Sequence, residues 1–341
     1  MVTSVAVCCD VGPAAGLDGL RRCLALAEEL VLRGVVVTFL ADAPSVPWAQ
    51  AQIEARALPH VVPAQSADDQ VAQLEQLDVH AVVHDSTSLS AQTSEQVRRT
   101  GRPTLALVDG DLHGLEADVV VDLQPDADRR PLAVPTGTTL LAGIDYALLR
   151  NDVLANRPIS PPAHERVETP RVLAFFGDTD EDGVGPAVAR ALVETGWPFE
   201  AGFIVPSAQQ GKEIAAVRPA PRQRLVPVEP SPRLAERVAR ADVVLSDAGP
   251  SAYELLCLGA AAGLVRVDDG QLGCYRSLMV RRAVVGLGAM PTLRDDPSGA
   301  AEQVSRLLGD ARERSRLAET GWRMVDGLGR ARVADALLAL L

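Results

Sequence analysis

The chain has 341 residues, more than one hydrophobic core usually organises, so two domains are expected. With 47% hydrophobic and 23% charged residues it is a folded globular protein rather than a disordered one, and at 3% aromatic its cores must rest on Ala, Leu and Val. Its 33 basic and 45 acidic residues leave a net charge of −12, which argues against nucleic acid or an anionic membrane as main partner but leaves room for a small anionic ligand held by helix ends or single arginines.

From the first residues onward an apolar, β-branched run alternates with a helical segment. A strand over Ser4 to Cys8 runs into the small-residue loop "DVGPAAG" and then a helix over Leu17 to Arg33, in which Leu20, Leu24, Ala27 and Val31 recur at helical spacing. Further strands are expected at Val35 to Leu40, His60 to Val62, Val79 to Val83, Thr104 to Val108 and Asp118 to Asp122. Such alternation implies parallel strands joined by crossover helices, a Rossmann-like sheet. The Pro-rich, aperiodic stretch "NRPISPPAHERVETP" (156–170) reads as a linker between an N-terminal domain (1–155) and a C-terminal one (171–341).

The pattern then restarts. Strands are expected at 171–177, Phe199 to Val205, Arg224 to Pro227, Asp242 to Ser246, "AAAGLVRV" and "AVVGLG". Helices fall at Pro186 to Thr195, Gln209 to Val217, Ser231 to Ala239 and Pro250 to Leu258. The last forty residues are helical, and the final helix is expected to pack back on the N-terminal domain. Two such units with their strand carboxyl ends facing across a cleft would bind ligand in the strand-to-helix loops. The five cysteines (8, 9, 23, 257, 274) show no metal-type spacing and read as buried reduced thiols. No basic, apolar leader opens the chain and no apolar run approaches a membrane span, so a cytoplasmic protein is expected.

The most informative stretch is "ADVVLSDAGPSAYELLCLG" (241–259). A strand ends at Ser246, Gly249 sits in a small-residue loop, and a helix opens at Pro250 with Ser251 and Glu254 in its first turn. Backbone N–H groups at such a helix start suit a pyrophosphate, and Glu254 could accept from ribose hydroxyls. Pro250 removes a donor, however, and Asp247 brings a charge that repels phosphate; a plain capped helix is the other reading. Two DxD triplets, Asp109 to Asp111 and Asp178 to Asp180, are short patterns common in acidic chains, and His80 and His84 lie about 13 Å apart on a strand at about 3.3 Å per residue. No metal is expected. Asp85, at a strand end, is a candidate acceptor for a sugar hydroxyl or a loop cap, and His113 is either a loop histidine or one that reaches the cleft.

These residues resemble a known family. "DVVLSDAGPSAYELLCLG" is similar to the S-A-G-G-S/T-x-x-x-E-x-x-x-L-G nucleotide-binding element of MurG-type GT-B glycosyltransferases. "LLAGIDYALLRNDV" (140–153) resembles the L-L-G-x-x-Y-A-L-L-R-x-E-F signature of the PseG/SpsG family within that superfamily. That family holds a hydrolase removing UDP from an activated diacetamido-trideoxy sugar, and spore-coat polysaccharide proteins taken for glycosyltransferases.

The resemblance runs from Asp10 to about Gly288 and implies a GT-B-like α/β fold of two Rossmann-like domains. "VCCDVGPAAGLDGLRRCLALA" matches the family's first loop at Asp10, Gly16, Arg22 and Leu24, while a loop glycine falls on Asp18 and the catalytic histidine on Gly19. "FFGDTDEDG" keeps Gly177, Thr179 and Asp180 with Asp178 in place of a glycine, and "DDGQLG" keeps Gln271. The implied nucleotide site is Gly177, Ser246, Gly249, Ser251, Glu254 and Gln271; the sugar or acceptor side is Gly16, Arg22, Tyr146 and Arg150, the last of which could instead be a structural ion pair. With Gly19 unable to act as a base, Asp10, Asp18 and Asp85 are the catalytic candidates. The expected activity is metal-independent and cofactor-free transfer of a sugar from a nucleotide sugar, UDP first, to an unidentified acceptor in polysaccharide or conjugate synthesis. An altered nucleotide-sugar hydrolase and a binding protein that has lost catalysis are the alternatives, and a homodimer is left open.

Overall fold

A computed structural model describes residues 3–12, 17–64, 66–85, 91–177, 180 and 183–341. In chain order the first elements are β1 (Ser4–Cys9), α1 (Asp18–Leu32), β2 (Val36–Leu40), α2 (Pro47–Glu54), β3 (His60–Val61), α3 (Ala67–Gln76), β4 (Ala81–Asp85), α4 (Ala91–Arg99), β5 (Thr104–Val108), β6 (Val119–Asp122), β7 (Thr139–Ala142) and α5 (Asn151–Asn156). They are followed by β8 (Arg171–Phe175), α6 (Val184–Glu194), β9 (Phe199–Ile204), α7 (Ala208–Ala216), β10 (Gln223–Val228), α8 (Leu234–Ala239), β11 (Val243–Asp247), α9 (Ser251–Cys257), β12 (Ala262–Arg266), α10 (Leu272–Val280) and β13 (Val285–Ala289). The chain ends in α11 (Met290–Asp295), α12 (Ser298–Gly309), α13 (Ala311–Met324) and α14 (Gly329–Leu338). It divides into two compact units, Met1–Asn151 with Gly327–Leu341, and Asp152–Asp326.

The first unit is built on a seven-stranded sheet of order β3-β2-β1-β4-β5-β6-β7, every described pairing parallel. Strands buried on both faces read as continuous apolar runs, which is why most of them were visible in the sequence. Alternate residues serve opposite faces. Val5, Val7, Ala81 and Val83 join α1, α2 and α14 in one core, while Ala6, Cys8 and Val82 meet Leu74 of α3 and Val97 of α4 in another. β4 departs from the expected Val79 to Val83. Ser4 Oγ and His80 Nδ1 lie 2.7 Å apart at its entrance, the ladder starts with Ala81 opposite Val5, and it continues to Asp85 opposite Cys9, adding two buried polar residues that no apolar run announces. β7 lies in a stretch that shows as a signature rather than as a strand.

α14 belongs to this unit because its start meets the "YALLR" segment. A Cβ on Gly329 would stand 2.3 Å from the Ala147 carbonyl oxygen, so only glycine permits the approach. Arg330 is buried and reaches Glu28 at 3.3 Å and the Leu149 carbonyl at 3.4 Å, and Glu28 also accepts the Asn151 N–H at 2.6 Å.

The second unit carries a six-stranded parallel sheet of order β10-β9-β8-β11-β12-β13. Phe199, Phe203, Leu192, Ile214 and Leu307 fill the core between the sheet and helices α6, α7 and α12. Residues 157–170, expected to be a linker, are tied to this unit. Arg157 donates to the carbonyls of Cys257, Val325 and Trp322, and its guanidinium stacks 4.5 Å over the Trp322 ring. Trp322 Nε1 donates to the Pro158 carbonyl, and Arg314 to that of Glu165.

Candidate functional site

In an open parallel sheet, ligands collect at the carboxyl ends of the two strands where the winding reverses. In the first sheet those strands are β1 and β4, and in the second β8 and β11. Each pair brings candidate residues together.

At the first switch point Asp85 ends β4, buried, and Arg22 approaches it from α1. Arg22 Nε donates to Asp85 Oδ2 at 2.5 Å and a terminal nitrogen to Oδ1 at 2.5 Å, while the other terminal nitrogen donates to Asp109 Oδ2 at 2.6 Å. Burial pushes the Asp85 carboxyl above its ordinary value and the Arg22 charge and hydrogen bonds pull it back. Burial likewise opposes the charge on Arg22, but Asp85 and then Asp109 outweigh it and hold the guanidinium well above its ordinary value. Cys23 Sγ lies 3.4 Å from Asp85 Oδ2, and burial pushes this thiol up. All five cysteines are free and buried.

Gly19 stands in the first turn of α1 directly over this pair. A Cβ there would meet the Asp85 carboxylate at 3.6 to 3.7 Å, an ordinary contact, so sterics do not forbid a side chain at this position. Asp18, in the same turn, pairs with Arg21 at 3.1 Å and is half exposed. The Asp10 N–H donates to the Asp85 carbonyl at 3.3 Å, which sets Asp10 beside the end of β4. Gly16 lies outside the described residues. Tyr146 packs against the β1/α1 core, and Arg150 directly follows Leu149, whose carbonyl Arg330 engages; these two sit with the segment that receives α14.

The second switch point is organised by Asp247, whose carboxylate was expected to repel a phosphate. It is the last residue of β11, not a loop residue, and it is buried. Oδ1 accepts the Gly177 N–H at 3.2 Å and lies 3.4 Å from Ser246 Oγ; Oδ2 accepts the Gly249 N–H at 3.1 Å and Gln271 Nε2 at 2.8 Å. Four of the expected nucleotide-site residues therefore converge, and they do so on a carboxylate of the protein itself. The charge that looked adverse is spent on joining the loops after β8, β11 and β12. Helix α9 starts at Ser251 rather than at Pro250, which is its N-cap, and Ser251 and Glu254 are half-buried in it.

The DxD triplets are absorbed in the same way. Asp109 is held by Arg22, and Asp180 caps α6 by accepting the Val184 and Gly185 N–H groups at 2.7 and 3.0 Å. Asp178 and Thr179 lie outside the described residues. Asp111 accepts the N–H of His113, an exposed loop residue. Among the described residues no group of three or more His, Cys, Asp or Glu side chains is arranged to hold a metal ion, and no helix is long and apolar enough to cross a membrane.

No protein-family model matches the sequence, and no curated protein matches it significantly. Solved structures do match. MurG of Acinetobacter baumannii is 16% identical, with 99% of this chain and 100% of that one covered at a TM-score of 0.74. The fold is GT-B. The spinosyn rhamnosyltransferase SpnG complexed with thymidine diphosphate is 16% identical over 98% of this chain and all of its own, with a TM-score of 0.67. UGT2 of Phytolacca americana, complexed with UDP-2-fluoro-glucose and pterostilbene, is 12% identical over 99% and 98%, with a TM-score of 0.66. At such identity the likeness is one of GT-B fold, and it carries no residue's role across.

Proposed function

We propose that this protein is a GT-B glycosyltransferase that takes a sugar from a nucleotide sugar, UDP-linked first, and that within the fold it is akin to the PseG/SpsG family. The observation that carries the reading is the convergence of Gly177, Ser246, Gly249 and Gln271 at the switch point of the second sheet. Two structural neighbours were solved with a nucleoside diphosphate or a nucleotide sugar, which supports the same ligand class here. Ser251 and Glu254 would serve the diphosphate and the ribose. In the first unit we assign the base to Asp10, which its N–H bond to the Asp85 carbonyl sets at the end of β4, beside the first switch point. It would take the proton of the acceptor hydroxyl as that oxygen bonds to the anomeric carbon, whose bond to the diphosphate breaks and releases the nucleoside diphosphate. The reading includes no metal or other cofactor, and it puts the acceptor in polysaccharide or sugar-conjugate synthesis.

The test is thermal denaturation with UDP, dTDP and GDP at millimolar concentration, where a ligand that binds the folded state stabilises it by RT ln(1 + [L]/Kd). A rise with one nucleotide, lost or weakened in Glu254→Ala, is expected; no rise with any of the three overturns the reading. Release of the diphosphate from the matching sugar donor, with and without acceptors, then separates transfer from hydrolysis, and Asp10→Asn should abolish release while leaving nucleotide binding intact.

One observation favours a second reading, a nucleotide-sugar-binding protein without turnover. Gly19 places no general base over Asp85, and such a base commonly contributes about 10²- to 10⁴-fold in rate. Nucleotide binding with no release from any donor would select it.

A further inference from the structure

His84 is the residue before Asp85 on β4, and its side chain therefore serves the opposite face of the sheet from Asp85. It is 1% exposed, and neither ring nitrogen has a hydrogen-bond partner among the described residues. Burial lowers its pKa to about 4, so at neutral pH the ring is uncharged, with one N–H to donate and one nitrogen to accept. Buried polar groups are nearly always paired, and an imidazole with both nitrogens unspent marks a place where something else completes the pairing.

That place is a largely enclosed cavity of about 40 Å³ at the carboxyl ends of β1, β2 and β4, beneath α3 and α4. Leu40, Leu74 and Val97 supply apolar wall, and His84 and Thr93 supply polar atoms. The volume exceeds that of a single bound water, about 10 to 15 Å³ on the same measure, and suits a group of a few heavy atoms. Asp10 also borders the cavity, and no arginine or lysine lines it, so an anion would find no counter-charge and one carboxylate to repel it. A cation would meet Asp10 but would waste the acceptor-and-donor pair of the neutral ring. A hydroxyl fits either tautomer, because it both donates and accepts.

We propose that this cavity binds a neutral, hydroxyl-bearing part of the acceptor, with His84 as the residue that selects it. The proposal rests on the glycosyl-transfer reading for what the ligand belongs to, though not for the pocket itself. It links the cavity to chemistry through Asp10, which borders it and is the assigned base.

The experiment uses the full chain and three probes of one carbon skeleton: isobutanol, isobutyrate and isobutylammonium. Methyl resonances of Leu40, Leu74 and Val97 and the ring nitrogens of His84 are followed by NMR during titration. Isobutanol is expected to shift them saturably and the two ions not to. His84→Leu, an apolar replacement of similar size, should weaken the alcohol at least tenfold with the fold intact, and His84→Gln, which keeps a donor and an acceptor, should restore most of the affinity. A cavity that holds water only, seen as no saturable shift, overturns the proposal. So does equal binding of the ions, or unchanged affinity in His84→Leu. The two readings fail distinguishably: nucleotide stabilisation without alcohol binding sinks the pocket alone, and alcohol binding without stabilisation by any nucleotide sinks the transferase reading, and with it the ligand's place in an acceptor, while the hydroxyl pocket stands.

Discussion

Asp247 Oδ2 accepts the Gly249 N–H at 3.1 Å, and a Cβ on Gly249 would stand 2.6 Å from that same oxygen. The loop after β11 is thus folded against the last side chain of its own strand, and the glycine is required because the carboxylate fills the space. Gly249→Ala must displace the carboxylate, and Asp247→Ala must orphan the donors it holds. Each buried donor left unpaired costs about 1–3 kcal/mol. Both variants are therefore expected to lose about that much stability or more in urea denaturation at pH 7. An unchanged midpoint for Asp247→Ala would show that the carboxylate does not hold the loops together.

Arg22 and Asp85 form the equivalent tie in the first sheet. Removing one partner of a buried ion pair typically costs about 3–5 kcal/mol because the other charge stays buried. Arg22→Leu is expected to show a loss of that order at pH 7. The sign of its pH dependence follows from Asp85, whose folded-state value burial already raises. A raised acid makes its full contribution below its unfolded value, near 3.8, and loses it as pH rises through the folded value. Without Arg22 that folded value moves further up, so the deficit of the variant should grow from pH 4 to pH 7. Equal deficits at both values would mean that the pair carries no net charge-dependent stability.

The sheets were legible in the sequence for a physical reason. A parallel strand covered on both faces is a run of Val, Leu and Ala with turn residues on either side, and β1, β5 and β11 show as such. The ties between loops were not legible. Asp247 is read locally as a charge beside a glycine loop, and its role depends on Gly177, 70 residues earlier, and Gln271, 24 later. Arg22 and Asp85 were each singled out separately, Arg22 on the sugar or acceptor side and Asp85 as an acceptor for a sugar hydroxyl or a loop cap, because spacing along the chain cannot show that β1 and β4 are neighbours. The "YALLR" segment resembles a family signature, and only its contact with Gly329 explains part of its form. His84 drew notice as a ligand type, while the feature that matters, its isolation under α3 and α4, is a property of packing.

Gly329 yields a test of that contact. The atoms a Cβ would strike are the Ala147 carbonyl oxygen at 2.3 Å, the Ala147 nitrogen at 2.6 Å and the Tyr146 carbonyl carbon at 2.6 Å, all backbone, so no side chain can swing aside. Gly329→Ala is expected to cost about 3 kcal/mol, the upper end for overpacking. Amide exchange should quicken in α14, whose Val333, Ala334 and Leu337 are fully buried, while β8 to β13 keep their protection. Unaltered exchange in α14 would mean that the close approach is dispensable.

His84 sets a pH dependence of opposite sign to that of Asp85. Its folded-state pKa, near 4, lies below the ordinary 6.5, so the unfolded chain binds the extra proton first and stability falls as pH drops from 6.5 toward 4. The limiting slope for one proton is about 1.4 kcal/mol per pH unit. Urea midpoints at pH 7 and pH 5 should separate for the native sequence, and His84→Leu should reduce that separation by close to one proton's worth. A separation that is the same in both proteins would place the acid sensitivity elsewhere.

Gly19→His tests whether one side chain limits hydrolysis. The resembling family carries its histidine here, the helix favours almost any residue over glycine by up to about 1 kcal/mol, and a Cβ would meet only ordinary contact with Asp85. Gly19→His is therefore expected to fold at least as stably as the native chain. Its imidazole would stand over a carboxylate already fixed by Arg22, the arrangement in which a buried acid orients a base. If nucleotide binding is intact, release of the diphosphate from a sugar donor should rise by about 10²- to 10⁴-fold over background, the usual worth of a general base. A stable variant that binds nucleotide and releases nothing would show that Arg22 has taken the carboxylate out of service for that chemistry, and that the loop after β1 has been rebuilt for another use.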